Sequence, residues 1–129
     1  MQKAKTHSVK DCSFDGNKYS IEACVWRNGQ PPHDEQDLNV KITLVKNGAL
    51  SKIPKKLLVM GMSIKNSADD ALWNIPTCIL EENSNNRRTF VAHNGPQWNF
   101  DSDVVVYLDI EYDKQSVRLF KIEKIGKPW

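Results

Sequence analysis

Three histidines and three cysteines are the side chains of widest chemical range in this chain, and their spacing limits what they can do. His7 lies near the start, His33 in the polar run Gln30-Pro-Pro-His-Asp-Glu-Gln-Asp37, and His93 at the end of Thr89-Phe-Val-Ala-His93. Nucleophilic catalysis needs a Ser or Cys beside a His base that a third group orients. None of the three histidines lies in a nucleophile turn, and no GxSxG occurs. The six glycines stand singly in turns and form no phosphate-cradling loop. The sequence predicts no catalytic residue and a protein that is not an enzyme; a site assembled in space around His93 is the catalytic alternative.

Metal chemistry is disfavoured on the same grounds. Cys12, Cys24 and Cys78 show no CxxC spacing, as a structural zinc site would. The acids Asp34, Glu35 and Asp37, the pair Asp69 and Asp70, and the pair Asp101 and Asp103 lack the alternating ligand spacing of a calcium loop. Solvated loop carboxylates are the simpler reading, so neither a metal nor a cofactor is expected. The odd cysteine count leaves two readings open. The thiols are small buried apolar groups, or two of them join distant strands, Cys24 with Cys78 being the pair put forward and Cys12 with Cys78 the other. A bridge would imply an oxidising compartment.

The best recognition signal is His93-Asn-Gly-Pro-Gln-Trp-Asn-Phe100, where one tryptophan stands among turn formers and amides. An aromatic ring can stack on a sugar or peptide while neighbouring amides pair with hydroxyls or backbone. The candidate binding residues are His93, Asn94, Gln97, Trp98 and Asn99. The plainer alternative, favoured on general grounds, is that Trp98 caps one open end of the fold. Trp26 and Trp73, in strand-like apolar contexts, are expected in the core with Met60 and Met62.

The elements that must position this loop are strands. Leu38, Val40, Ile42 and Leu44 alternate with polar residues, and Tyr19 to Arg27 does the same. Asp103 to Tyr112 is apolar on both faces in its first half, which predicts a central strand, and a tight polar turn at Asp113-Lys114-Gln115 leads into a last strand. Asp15-Gly16 and Asn47-Gly48 are turn signals, the second expected to close a hairpin. Leu58, Met60, Met62 and Ile64 are expected to share one face. Asn66 to Asp70 reads as a loop, or at most a helical turn entering Ala71-Leu-Trp-Asn-Ile75, and Thr77–Glu82 and Thr89–His93 read as short strands. No long helix-period segment or repeat is present. About eight short strands with turns between them predict an all-β, single-domain antiparallel β-sandwich over residues 1–129, immunoglobulin-like in architecture, with a small β-barrel as second choice. A true immunoglobulin domain is disfavoured, because Trp26 follows Cys24 by two residues and no tyrosine precedes Cys78 by two.

Composition bounds the partners. At 129 residues and 14.8 kDa the chain can bury one core without a metal or disulfide framework. Its net charge of +2 comes from 18 basic and 16 acidic residues mixed along the chain. Nucleic-acid binding asks for a basic stripe, so the small clusters at Lys52, Lys55 and Lys56, at Arg87 and Arg88, and at Lys121, Lys124 and Lys127 read as solvated strand ends and turns, and no nucleic-acid partner is expected. No apolar run approaches the roughly 18 residues of a transmembrane helix. The opening Met1–Ser8 has no apolar signal core, so the chain is either cytoplasmic or a mature exported form that has lost its leader.

Val91-Ala-His-Asn-Gly-Pro-Gln-Trp98, followed after a short spacer by Asp103-Val-Val-Val-Tyr-Leu-Asp-Ile110 and a closing strand, resembles the C-terminal half of small exported bacterial β-sandwich proteins. Many of those are lipoproteins without an assigned activity. The resemblance covers residues 91–125 and implies an extracytoplasmic location, in the periplasm or cell envelope, and a binding or structural role toward a peptide, a glycan or an envelope partner protein. A lipid anchor would lie outside these residues, because Cys12 has no apolar leader before it. The alternative is a small intracellular inhibitor or immunity-type interaction protein.

Overall fold

The structure is a computed structural model that describes residues 5–27, 38–48, 52–66, 70–96 and 104–118. The described residues form β1 (Lys5–Phe14), β2 (Asn17–Arg27), β3 (Leu38–Lys46), β4 (Leu57–Asn66), β5 (Ala71–Ile75), β6 (Glu81–Ser84), β7 (Arg87–Ala92), β8 (Val104–Tyr112) and β9 (Gln115–Arg118). They make two sheets, β1-β2-β3-β7-β6 and β5-β4-β8-β9, with every pairing antiparallel. The sheets face each other as a sandwich and do not close into a barrel.

The alternation predicted for β2, β3 and β8 is what builds the core. Tyr19, Ile21, Ala23 and Val25 point inward from β2, and Leu38, Val40, Ile42 and Leu44 from β3. They meet Val104, Val106, Leu108 and Ile110 of β8 from the facing sheet. β8 is central as expected, paired with β4 on one side and β9 on the other, and Val105 is buried on its outward face as well. Asp15-Gly16 and Asp113-Lys114 are two-residue turns in which both residues have positive φ, joining Phe14 to Asn17 and Tyr112 to Gln115. That backbone matches the right-handed twist of the strands on either side.

Other expectations are corrected. Asn47-Gly48 closes no hairpin: β3 pairs with β2 and β7, and β4 belongs to the other sheet, so the chain crosses the sandwich after Gly48. Ala71–Ile75 is strand β5, and residues 67–69 of the loop read before it lie outside the described residues. The segment read as a strand over 77–82 is irregular as far as Leu80, and β6 is the short run Glu81–Ser84. Within β4 a bulge between Val59 and Gly61 reverses the phase. Leu57 and Val59 face the core before it and Met62 and Ile64 after it, while Leu58 and Met60 turn outward. An extra residue in one strand moves every later side chain to the opposite face, so Met60 is not the core filler expected. Gly61 lies close against the end of β5: a Cβ there would lie 3.0 Å from the carbonyl oxygens of Ile75 and Pro76.

Candidate functional site

The predicted loop is anchored by a residue that the alternation of β3 leaves inconspicuous. Asn39 points away from the core yet is fully buried. Its Oδ1 accepts from the backbone N–H of Asn94 at 3.2 Å, and His93 Nδ1 lies 3.1 Å from the same oxygen. Its Nδ2 donates to the Trp26 carbonyl at 3.5 Å. A backbone N–H can only donate, so the atom facing Asn94 is the amide oxygen, and His93 Nδ1 must donate to it. His93 Nε2 is thereby left as the acceptor of the neutral ring.

Two backbone bonds fix the rest of the loop root. Gly95 N–H donates to Leu38 O at 2.9 Å, and Leu38 N–H to Pro96 O at 3.0 Å. Asn94 takes a left-handed φ of 59°, which Asn tolerates better than most residues. The Trp26 indole meets the His93 ring edge-on, centroids 5.8 Å apart. From the other sheet, the Trp73 ring packs so tightly on Gly95 that a Cβ there would come within 2.5 Å of it. Trp26 is therefore a half-buried outward residue and not core, while Trp73 packs on the core's edge and carries the loop. Of the five predicted binding residues, His93 and Asn94 are brought together here on the exposed surface. Gln97, Trp98 and Asn99 lie outside the described residues, as does His33. Among the described residues no Ser, Thr or Cys donates to His93, and no three His, Cys, Asp or Glu side chains gather as metal ligands.

The cysteine pairing is also corrected. Cys24 and Cys78 are not bonded to each other: Cys24 lies on the outer face of the five-stranded sheet and Cys78 in the core between the sheets. Cys24 lies between the inward-facing Ala23 and Val25 and so points outward, near Glu22 Oε1, whereas Cys78 belongs to the core. Joining them would require β2 to slip by one residue and turn its apolar face out. Burial, then the charge of Asp109, pushes the Cys78 thiol up to about 11. Cys12 is also raised, by burial first and Asp11 second.

A second recess lies toward the opposite end of the sandwich. Leu57–Met60 of β4, the Pro76–Leu80 segment, Leu44 and Arg88 line a cleft of about 360 Å³. Around its mouth Leu58 is 43%, Met60 45% and Ile79 77% exposed. Arg88 Nη2 donates to Ile53 O at 3.1 Å and to Glu82 Oε1 at 3.3 Å, while its buried Nε has no hydrogen-bond partner among the described residues. Neither the open cleft nor the outward turn of Leu58 and Met60 was signalled by the sequence, because both depend on the β4 bulge. Comparison with protein family models, curated proteins and solved structures finds no match for this chain.

Proposed function

We propose that this protein works by binding, as an extracytoplasmic bacterial β-sandwich that recognises a peptide, a glycan or an envelope partner through the sandwich end bearing His93. The observation that carries this reading is the buried Asn39, whose one amide oxygen holds both the Asn94 N–H and His93 Nδ1. A buried amide satisfied at both ends can hold an exposed ring in one orientation, as a preorganised binding site requires. His93 then offers Nε2 to a ligand hydroxyl or amide beside the Trp26 edge, and Asn94, Gln97, Trp98 and Asn99 extend the same loop.

The test is tryptophan fluorescence during titration with oligosaccharide and peptide panels. A saturable shift is expected for at least one class. It should be abolished in His93→Ala and Trp98→Ala, with far-UV circular dichroism unchanged. Shifts that persist in both variants, or no shift with any panel, would remove the loop from consideration.

A second reading, an intracellular inhibitor or immunity-type protein, draws support from the thiols, since Cys24 lies on the outer face of the five-stranded sheet and Cys78 in the core between the sheets. Alkylation of the unreduced, denatured protein, taken from its native compartment and weighed intact, separates the two. Two protected cysteines would favour export, and three alkylated ones the intracellular reading.

A further inference from the structure

The cleft at Leu57–Met60 lies where strand β5 would have continued. β5 pairs with β4 only from Lys65 to Met62, and at Pro76 the chain turns away. Proline cannot donate to a ladder, which explains the departure. Beyond that point β4 runs on for Leu57–Met60, paired with β8 on its far side. Among the described residues, two backbone bonds close the ends of this stretch, Cys78 N–H to Met60 O at 3.3 Å and Leu57 N–H to Pro54 O at 3.1 Å, with Val59 between them. Among the described residues no strand lies along this stretch of sheet edge, which borders an apolar cleft whose mouth displays Leu58, Met60 and Ile79.

We infer that this vacant lane receives an extended peptide segment of a partner protein, which adds to β4 as the missing length of β5. Strand addition gives affinity through backbone hydrogen bonds, and alternate side chains entering a recess give selectivity. The lane fixes the direction of the occupant. An added strand antiparallel to β4 runs as β5 does and leaves past Leu57, toward Lys55 and Lys56 in the preceding turn. Lys52, Lys46 and Arg87 lie at the same end of the sandwich. Of the acids there, Asp15 is drawn to Lys56 at 3.9 Å and Glu82 to Arg88 at 3.3 Å, and Asp113 lies beside Lys56, its N–H donating to Lys56 O at 3.2 Å, so the five basic residues remain in excess. On the other flank Glu111 stands opposite Leu58 in the ladder. The segment is accordingly apolar at alternate positions, without acids where it passes β4, and acidic at its C-terminal end. This site is separate from the His93 face, which occupies the opposite end of the molecule.

The experiment is selection of phage-displayed random nonapeptides on the whole protein, followed by fluorescence anisotropy with the winning peptides. Enrichment of sequences with alternating apolar residues and a C-terminal acid is expected. Their binding should weaken about tenfold or more in Ile79→Glu and in Leu58→Glu, both exposed enough to leave folding intact, and be unchanged in His93→Ala. N-methylation of alternate peptide nitrogens should abolish it, since the ladder needs those N–H groups. No enrichment, equal binding by the N-methylated peptides, or insensitivity to both cleft variants would overturn the inference. So would sedimentation showing a dimer that Ile79→Glu dissolves, which gives the cleft to a second copy. Binding of laurate or phosphatidylglycerol vesicles that displaces the peptides would give it to a lipid instead.

Discussion

Two residues in this fold hold measurable free energy for reasons local to them. Lys114 has φ 68° in the β8–β9 turn, next to Asp113 at 49°, and neither is glycine. The left-handed region costs an L-residue with a Cβ about 1–2 kcal/mol, and the equivalent position of the β1–β2 turn is Gly16 at 77°. Lys114→Gly should therefore stabilise the protein by about 0.5–1 kcal/mol in urea denaturation, the gain being trimmed by glycine's freedom in the unfolded chain. Loss of stability would mean that the Lys114 side chain makes a contact worth more than the strain. Cys78 supplies the second case. Its thiol ionises near 9 when unburied and at about 11 in the fold. Between those values the native protein keeps a proton that the unfolded chain has released, so its contribution is complete below about pH 8.5 and declines as pH rises toward 11. From pH 8 to 10.5 the loss amounts to about 2 kcal/mol. Cys12 and Tyr19, also raised by burial first, add to it in the same direction. Cys78→Ala should show a correspondingly shallower decline over that range; an identical decline would assign the effect to the other two groups.

At the scale of the strand, the β4 bulge decides which methionine matters. Met62 is buried among core residues, and truncating it to Ala should cost about 2–5 kcal/mol. Met60, at 45% exposure, should tolerate the same change within about 1 kcal/mol. Equal costs in urea titrations would place both methionines in the core and remove the bulge. The sequence points the other way because Leu58, Met60, Met62 and Ile64 alternate without a break, whereas in the structure the register shifts next to Gly61, where a Cβ would meet the carbonyls of Ile75 and Pro76. That contact is remote in sequence and leaves only an isolated glycine as its trace. β3 and β8 were legible because both faces of their patterns are set by burial along one continuous strand. Asn47-Gly48 misled for the opposite reason: it makes a reversal, with φ 96° at Gly48, but which sheet the next strand joins is settled by packing. Of the candidate site, His93 and Asn94 could be named from residue type and turn chemistry. Asn39 could not, since a polar residue between Leu38 and Val40 looks like any outward position of a half-buried strand.

For the whole molecule, the question is what holds two sheets in register when no described pairing joins them. Each end carries an aromatic clasp. At one end Phe14 of the five-stranded sheet stacks on Tyr112 of the other, centroids 5.2 Å apart, with Tyr19 edge-on to Phe14 at 5.5 Å and Lys56 Nζ 4.8 Å above the Tyr112 ring. At the other end Trp73 of the four-stranded sheet lies on Gly95, whose backbone is tied to Leu38 of the facing sheet. The two clasps bear differently on function. The Phe14 clasp is a contact of side chains remote from the His93 loop, so trimming it should lower stability without disturbing that loop. The Trp73 clasp grips the loop's own backbone. Gly95→Ala would drive a Cβ into the indole at 2.5 Å, and either the ring or the loop must move, at a cost of about 1–3 kcal/mol. Because Gly95 follows Asn94 directly, displacement of the loop should also break the Asn94 N–H to Asn39 bond and release His93. The expected outcome is a lower Tm together with faster hydrogen exchange at Asn94 and altered His93 ring shifts in NMR spectra, all absent from Phe14→Leu. Gly95→Ala with native shifts at His93 would show that the indole yields instead of the loop, and that the two sheets can shear at this end without disturbing the binding face.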